Sequence, residues 1–103
     1  MDIIARKNPK MTPMHPGALL REEVFPALGR PKAEIARLLG ISRKTLYDIL
    51  NEQQPVTPAM ALKIGKLCGN GPMLWMNLQV RYDLWREGAN AKLDKIPTLH
   101  AAE

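Results

Sequence analysis

The hydrophobic and polar positions along the middle of this chain follow helical spacing. Apolar residues recur three and four positions apart in five successive segments, and no run of alternating apolar and polar residues indicates a strand. No internal repeat is visible. The pattern therefore predicts an all-α fold of five helices.

Prolines, glycines and capping residues set the expected limits of these helices. Pro16 suits a first turn, and Pro26 and Gly29 are expected to end helix one. The other four helices follow from the same signals. Helix two is expected over 32–39 with Gly40 as the stop, and helix three from the capping Ser42 to about 51. Helix four is expected from Thr57 and Pro58 to Gly69, and helix five from Pro72 to about 87.

The two ends of the chain lack this periodicity. With 103 residues, the chain is long enough for one small core and too short for two. We therefore expect a flexible basic arm at 1–13, a single domain at 14–87 and a C-terminal tail at 88–103.

Helices two and three are joined by only Gly40 and Ile41, which is the spacing of a helix-turn-helix. The residues expected to form the wedge between the two helices are Ile35, Ala36, Leu39, Ile41, Leu46 and Ile49. Packing of this wedge turns the start of helix three outward, where a DNA groove would present bases and phosphates. The candidate DNA contacts are Lys32, Ser42, Arg43, Lys44, Tyr47 and Gln53.

Arg43 and Lys44 are assigned different roles within this set. Arg43 suits bidentate contact with a guanine, whereas Lys44 and Lys32 suit phosphates. Asp48 would oppose DNA unless it accepts a hydrogen bond from a cytosine or orients Arg43. The alternative is that the two cations only form a solvated helix face; the surrounding helix-turn-helix spacing favours the DNA contact.

Charge and cysteine content narrow the class of protein further. A formal net charge of +5 favours a polyanionic partner, and a single cysteine cannot form an internal disulfide. No apolar run approaches the roughly 20 residues of a membrane span, and the N-terminal run is too short for a signal peptide. We expect a cytoplasmic protein.

The residues that could support catalysis are scattered. His15 and His100 are far apart, and Cys68 lies in a helical apolar pattern. Adjacent Glu22 and Glu23 would point about 100° apart on a helix, so they cannot flank one substrate. We expect His15 to cap or pack at the start of helix one and Cys68 to be a small core residue. The sequence thus predicts no enzyme, no catalytic residue, no metal site and no cofactor.

The sequence resembles the HigA-type antitoxins of the phage-repressor-like helix-turn-helix group. Four stretches carry the resemblance in order, namely "HPGALLREEV", "EIARLLGISRKTLYDILN", "VTPAMALKIGKLCG" and "WMNLQVRYDLW". The resemblance implies a homodimer that represses its own promoter at a palindromic operator and neutralises a HigB-type toxin, similar to the RelE-like mRNA endonucleases. The chain departs from the family at "NEQQPVT", where a glycine and basic residues usually follow the asparagine.

Helix five carries two apolar stripes. One consists of Trp75, Leu78, Tyr82 and Trp85, and the other of Met76, Val80 and Leu84. A small core needs only one stripe, so the second is expected to form a dimer contact. The alternative is that helices one and four wrap the whole of helix five.

Three functions from different classes remain open. They are a DNA-binding antitoxin, a stand-alone repressor of the same fold without a toxin, and a protein-interaction module that has lost DNA binding. For the antitoxin, we place the toxin contact on helix one, around Arg21, Glu22 and Glu23.

Overall fold

The computed structural model describes residues 12–101, so the expected arm at 1–13 lies outside the described residues except for its last two positions. Within 12–101 there are five helices and no strand, which confirms the predicted all-α helix-turn-helix fold. Helix α1 covers 16–28 in three segments, Pro16–Leu19, Leu20–Val24 and Phe25–Leu28. The others are α2 (Lys32–Leu39), α3 (Arg43–Leu50), α4 (Pro58–Cys68) and α5 (Met73–Gly88).

Helix α1 continues through Pro26, contrary to the expectation that Pro26 and Gly29 together end it. The segment Leu20–Val24 is π-helical, and the Phe25 N–H reaches back to the Leu20 carbonyl. A proline inside a helix has no N–H and its ring crowds the preceding turn. The wider π turn lets Pro26 stand near the start of a fresh α segment, where a missing N–H costs little. Gly29, with φ of 65°, then ends the helix.

The core lies where α1, α2, α3, α4 and α5 meet. Five of the six expected wedge residues are buried, and the sixth, Ile41, is half-buried against the core. Trp75 of α5 is fully buried, and its indole Nε1–H donates to Asn70 Oδ1 at 3.1 Å. The wedge residues lie between α2 and α3, so they hold α3 by its apolar side and leave its other side exposed.

Two glycines permit close approaches between elements. A Cβ on Gly17 would lie 1.9 Å from the Ile49 carbonyl oxygen, so the start of α1 rests directly on the end of α3. A Cβ on Gly65 would lie 2.4 Å from the Gly71 carbonyl oxygen, where the chain turns from α4 into α5. Any larger residue at either position must push backbone atoms apart.

Gln79 is a buried polar residue that the sequence pattern did not single out. Its Oε1 accepts from the Val56 N–H at 2.8 Å and its Nε2 donates to Asp83 Oδ1 at 2.9 Å. Gln79 thereby ties the segment after α3 to α5. Helix α5 ends one residue beyond the expected limit, at Gly88, and the following residues through 101 are exposed.

Candidate nucleic-acid interface

The start of α3 is fixed by a side-chain cap. The Ser42 Oγ accepts a hydrogen bond from the Thr45 N–H at 3.0 Å, and the two hydroxyl oxygens also lie 3.0 Å apart. Ser42 has extended backbone angles, as a capping residue requires. The first turn of α3 is thus held in place without help from a partner.

Helix α3 divides into a buried side and an exposed side. Leu46, Ile49 and Leu50 are each no more than 2% exposed. The expected DNA contacts on the first two turns, Ser42, Arg43, Lys44 and Tyr47, are all exposed. The structure therefore brings these four predicted residues together on one outward surface, with a capped helix end behind them.

Arg43 and Lys44 differ in their partners. Lys44 Nζ lies 2.8 Å from Asp48 Oδ2, one helical turn away, whereas Arg43 has no hydrogen-bond or ion-pair partner among residues 12–101. Asp48 therefore does not orient Arg43, one of the two roles considered for it. The spacing of four residues between Lys44 and Asp48 is the spacing at which side chains on a helix can form an ion pair. Because the Lys44 side chain is 84% exposed, water screens the pair and little free energy is lost on breaking it.

Lys32 and Gln53 lie on either side of this surface in the sequence. Lys32 is exposed and is the first residue of α2, where the preceding Pro31 offers no side-chain cap to the first amides. Open amides at a helix start favour anions, and a lysine at the same place adds to that preference. Gln53 is exposed and donates from Nε2 to the Asn51 carbonyl at 3.3 Å.

The end of α3 contains a residue in the left-handed region. The Gln53 N–H donates to the Asp48 carbonyl at 2.8 Å and the Glu52 N–H to the Ile49 carbonyl at 3.0 Å. This pair of bonds defines a Schellman motif, which needs a left-handed residue that is usually glycine. Here it is Glu52, with φ of 62°, the one non-glycine residue of positive φ in the described part of the chain. In the sequence, the absence of a glycine after Asn51 was the feature that could have indicated this unusual helix end.

Arg21 of α1 reaches across to this end of α3. Its Nη1 donates to the Leu50 carbonyl and lies 3.4 Å from Glu52 Oε2, while its Nε donates to Glu22 Oε2 at 2.9 Å. The hydrogen bond to Glu22, followed by that to Glu52, raises the pKa of Arg21. Of the three residues expected to meet a toxin, Arg21 is thus engaged within the chain, and Glu22 and Glu23 are exposed.

Helix α5 leaves part of its apolar surface in solvent. Trp75 and Leu78 are buried, but Trp85, expected on the same stripe, is 45% exposed because it lies beyond the core near the end of the helix. On the second stripe Val80 and Leu84 are 46% and 68% exposed. The third member, Met76, is half-buried against the core, so it contributes less free surface than its spacing suggested.

Comparisons with known proteins bear on this arrangement. The family model described as "Helix-turn-helix" matches residues 20–75, more than half of the chain and all of the surface around α3. The chain belongs to this helix-turn-helix family. Its relatives include Virulence-associated protein I of Dichelobacter nodosus, which is 36% identical over 84 residues, covering 82% of this chain and 77% of that protein.

Two further helix-turn-helix relatives carry the name HigA. Antitoxin HigA-1 of Vibrio cholerae is 29% identical over 79 residues, or 77% of this chain and 74% of the relative. The solved structure of Pseudomonas aeruginosa antitoxin HigA with the higBA promoter is 32% identical, with a TM-score of 0.73 over 84% of this chain and 99% of that one. These findings support the resemblance drawn from the sequence motifs.

Residues that commonly take part in catalysis have other surroundings here. His15 Nδ1 accepts from the Gly17 N–H at 2.9 Å and so caps α1, and Cys68 is half-buried against the core, where burial raises the pKa of its thiol. In the part of the chain that the structure describes, no three His, Cys, Asp or Glu residues lie close enough to hold a metal ion. None of the helices described combines the length and apolar character that a membrane span needs.

Proposed function

We propose that this chain is the antitoxin of a type II toxin-antitoxin pair, which represses its own promoter by binding operator DNA and neutralises a RelE-like mRNA endonuclease of the HigB type. The observation that carries the DNA-binding part is the surface of α3. A capped helix end presents Arg43 without a partner among the described residues, above a buried apolar side. A relative of the same fold solved with its promoter supports DNA binding by this chain.

In this proposal α3 is the recognition helix and enters the major groove with its first two turns. Arg43 reads a base edge, because its guanidinium is free to form two hydrogen bonds with a guanine. Lys44 exchanges Asp48 for a phosphate, and Lys32 and Gln53 bind phosphates on either side. Phosphate contacts hold the register of the protein on DNA, whereas the base contact carries the specificity.

The experiment is a titration of the chain against its own promoter and a scrambled duplex at moderate salt. Arg43→Ala should cost about 1–3 kcal/mol on the operator and flatten preference at one base pair per half-site. Lys44→Ala should weaken both duplexes alike. Lys66→Ala, which removes a lysine beside Leu38 and Leu67, serves as the matched control. Operator affinity unchanged by Arg43→Ala would remove Arg43 from the readout.

The same proposal requires two copies of the chain. A palindromic operator is read by two recognition helices about 34 Å apart, one turn along the groove. The exposed Val80 and Leu84, with the edge of Met76, form the apolar surface that we assign to the homodimer. Isologous pairing of such a surface is the commonest way to cover it.

The toxin contact is proposed for α1, around Arg21, Glu22 and Glu23. Two exposed carboxylates on one turn suit a basic toxin, and they lie on a different helix from Arg43. Co-expression tests this: Arg43→Ala should still rescue growth, whereas Glu22→Lys with Glu23→Lys should not. A well-folded Arg43→Ala chain that fails to rescue would mean that the two surfaces overlap.

A stand-alone repressor is the second candidate function, because two relatives of this fold are described only as virulence-associated proteins or transcriptional regulators. The reading frame beside the gene separates the candidates. A small, basic, toxin-like frame whose expression arrests growth supports the antitoxin. Its absence, together with operator binding, supports the repressor.

A further inference from the structure

Glu52 is an unusual residue to find at the end of a helix that meets DNA. It occupies the left-handed position of the Schellman motif with φ of 62°, where a side chain costs free energy that glycine would not. Strain of this kind persists where the surrounding structure holds it, and often has a functional role. Glu52 is also negative, and it directly precedes Gln53, a proposed phosphate contact.

The surrounding structure that holds Glu52 is Arg21. One guanidinium donates to the Leu50 carbonyl, which the end of α3 leaves without a helical partner, and lies 3.4 Å from the Glu52 carboxylate. The side chains of Arg21 and Glu52 are 37% and 33% exposed, so the pair is partly shielded from water. A lysine could not replace this arrangement, because its single ammonium group cannot serve three acceptors in a planar fork.

We propose that Glu52 weakens operator binding and that Arg21 is a positioning residue, which keeps the Glu52 carboxylate turned toward α1 and away from the DNA phosphates. This inference rests on the operator binding proposed above. It adds a determinant of affinity that lies outside the outward surface of α3. It also links α1 to DNA, because the guanidinium that lies against Glu52 through Nη1 also donates to Glu22 of α1 through Nε.

The link has a consequence for a partner that binds α1. A partner whose own carboxylate binds Arg21 and draws it away from α3 leaves Glu52 without its cation. The carboxylate then repels the phosphates next to Gln53, and operator affinity falls. Binding of a partner to α1 and binding of DNA to α3 therefore oppose each other, although the two surfaces do not overlap.

The test is a double-mutant cycle on the full chain, with operator affinity measured at about 0.1 M salt. Glu52→Gln should tighten binding about threefold, and Arg21→Gln should weaken it about tenfold. In the Glu52→Gln background, Arg21→Gln should weaken binding only about threefold, since no carboxylate remains to be released. Arg21→Lys should resemble Arg21→Gln. Both effects of Glu52 should shrink at about 0.5 M salt, which a purely structural effect would not do.

Two variants serve as matched controls for charge. Lys66→Gln removes a cation from α4 and Asp94→Asn an anion from the exposed segment after α5, and each should change operator affinity less than twofold. Circular dichroism and unfolding curves establish that Arg21→Gln is folded. Should it not fold, Glu52→Gln alone decides, because unchanged operator affinity in that variant overturns the proposal.

The outcomes separate this inference from the proposed function. Additive effects of Arg21→Gln and Glu52→Gln, with specific operator binding by the wild type, would overturn the role of Glu52 and leave the operator binding intact. A wild-type chain that binds operator and scrambled duplex equally would overturn the proposed function and this inference with it.

Discussion

Helices α3 and α5 turn opposite kinds of surface toward solvent. Both bury an apolar side, but α3 exposes Arg43, Lys44 and Tyr47, whereas α5 exposes Val80 and Leu84. A charged surface remains hydrated until it meets a partner of opposite charge. An apolar surface gains free energy when any apolar partner covers it and removes it from water. The difference fits the roles proposed above, in which α3 supplies specificity and α5 supplies association.

The two helices share one support, which is the start of α1. Gly17 rests on the Ile49 carbonyl of α3, and the His15 ring packs edge-on against Tyr82 of α5, with the ring centroids 4.9 Å apart. Changes that affect α3 alone or α5 alone must therefore avoid this junction.

The largest expected effect is on the buried side of α5. Trp75→Ala removes a fully buried indole and the hydrogen bond to Asn70, so we expect the free energy of unfolding to fall by about 3–5 kcal/mol. Leu84→Ala on the exposed stripe is the control, and in dilute, monomeric protein it should change stability by less than about 0.5 kcal/mol. Urea unfolding at low protein concentration measures both. Equal losses would mean that the outer stripe is core.

A charge on the outer stripe should break association and leave the fold intact. Leu84→Glu places a carboxylate against an apolar partner surface, which should cost at least about 2 kcal/mol of dimer affinity. Operator affinity should then fall toward the non-specific level, because one recognition helix is lost from the pair. Sedimentation gives the oligomeric state and circular dichroism the helicity. A folded dimer would show that another surface joins the copies.

A smaller effect is expected where α3 begins. Ser42→Ala removes the bond from the Thr45 N–H, and loss of such a cap typically costs about 1 kcal/mol. The matched control is Pro72→Ala, because Pro72 precedes α5 and has no side chain that caps it. This variant should lose no capping hydrogen bond. Thermal unfolding compares the two. We would abandon the capping role if Ser42→Ala were as stable as the wild type.

Local signals predicted α3 better than α5. Helix α3 begins after the expected cap Ser42 and ends at Leu50, close to the expected limit of about 51, because a glycine stop and a capping serine fix the turn before it. On α5 the spacing identified two stripes but not how far the core extends, so Met76 and Trp85 were each assigned to the wrong degree of burial. Burial depends on which elements cover a helix, and sequence spacing carries no record of them.

Contacts between distant parts of the chain were the least predictable. Arg21 and Leu50 are 29 positions apart, and nothing in the local pattern pairs an arginine of one helix with a carbonyl of another. The π segment of α1 was equally hidden, because Pro26 reads as a helix stop unless the preceding turn widens. Glu52 is the exception, since its place after Asn51 departs from the glycine expected there.

The smallest expected effect concerns pH at the shared start of α1. The His15 ring is 4% exposed, and its Nδ1 must be unprotonated to accept from the Gly17 N–H. Burial therefore lowers the pKa of His15 below its ordinary value of 6.5, and the nearby carboxylates of Glu52 and Asp83 oppose this only in part. In the unfolded chain the imidazole binds its proton first as the pH falls.

The lowered pKa of His15 makes the stability of the fold depend on pH. Stability is fully present above the unfolded pKa of 6.5 and is lost as the pH falls toward the lower pKa of the folded chain. His15→Asn keeps a capping side chain but does not titrate, so the wild type should lose more stability than this variant between about pH 7.5 and about pH 5.5. Urea unfolding at both pH values measures the difference, with His100→Asn as the control for loss of an imidazole. Parallel losses in the wild type and His15→Asn would place the titrating group elsewhere, and the junction of α1 with α3 and α5 would then be insensitive to pH.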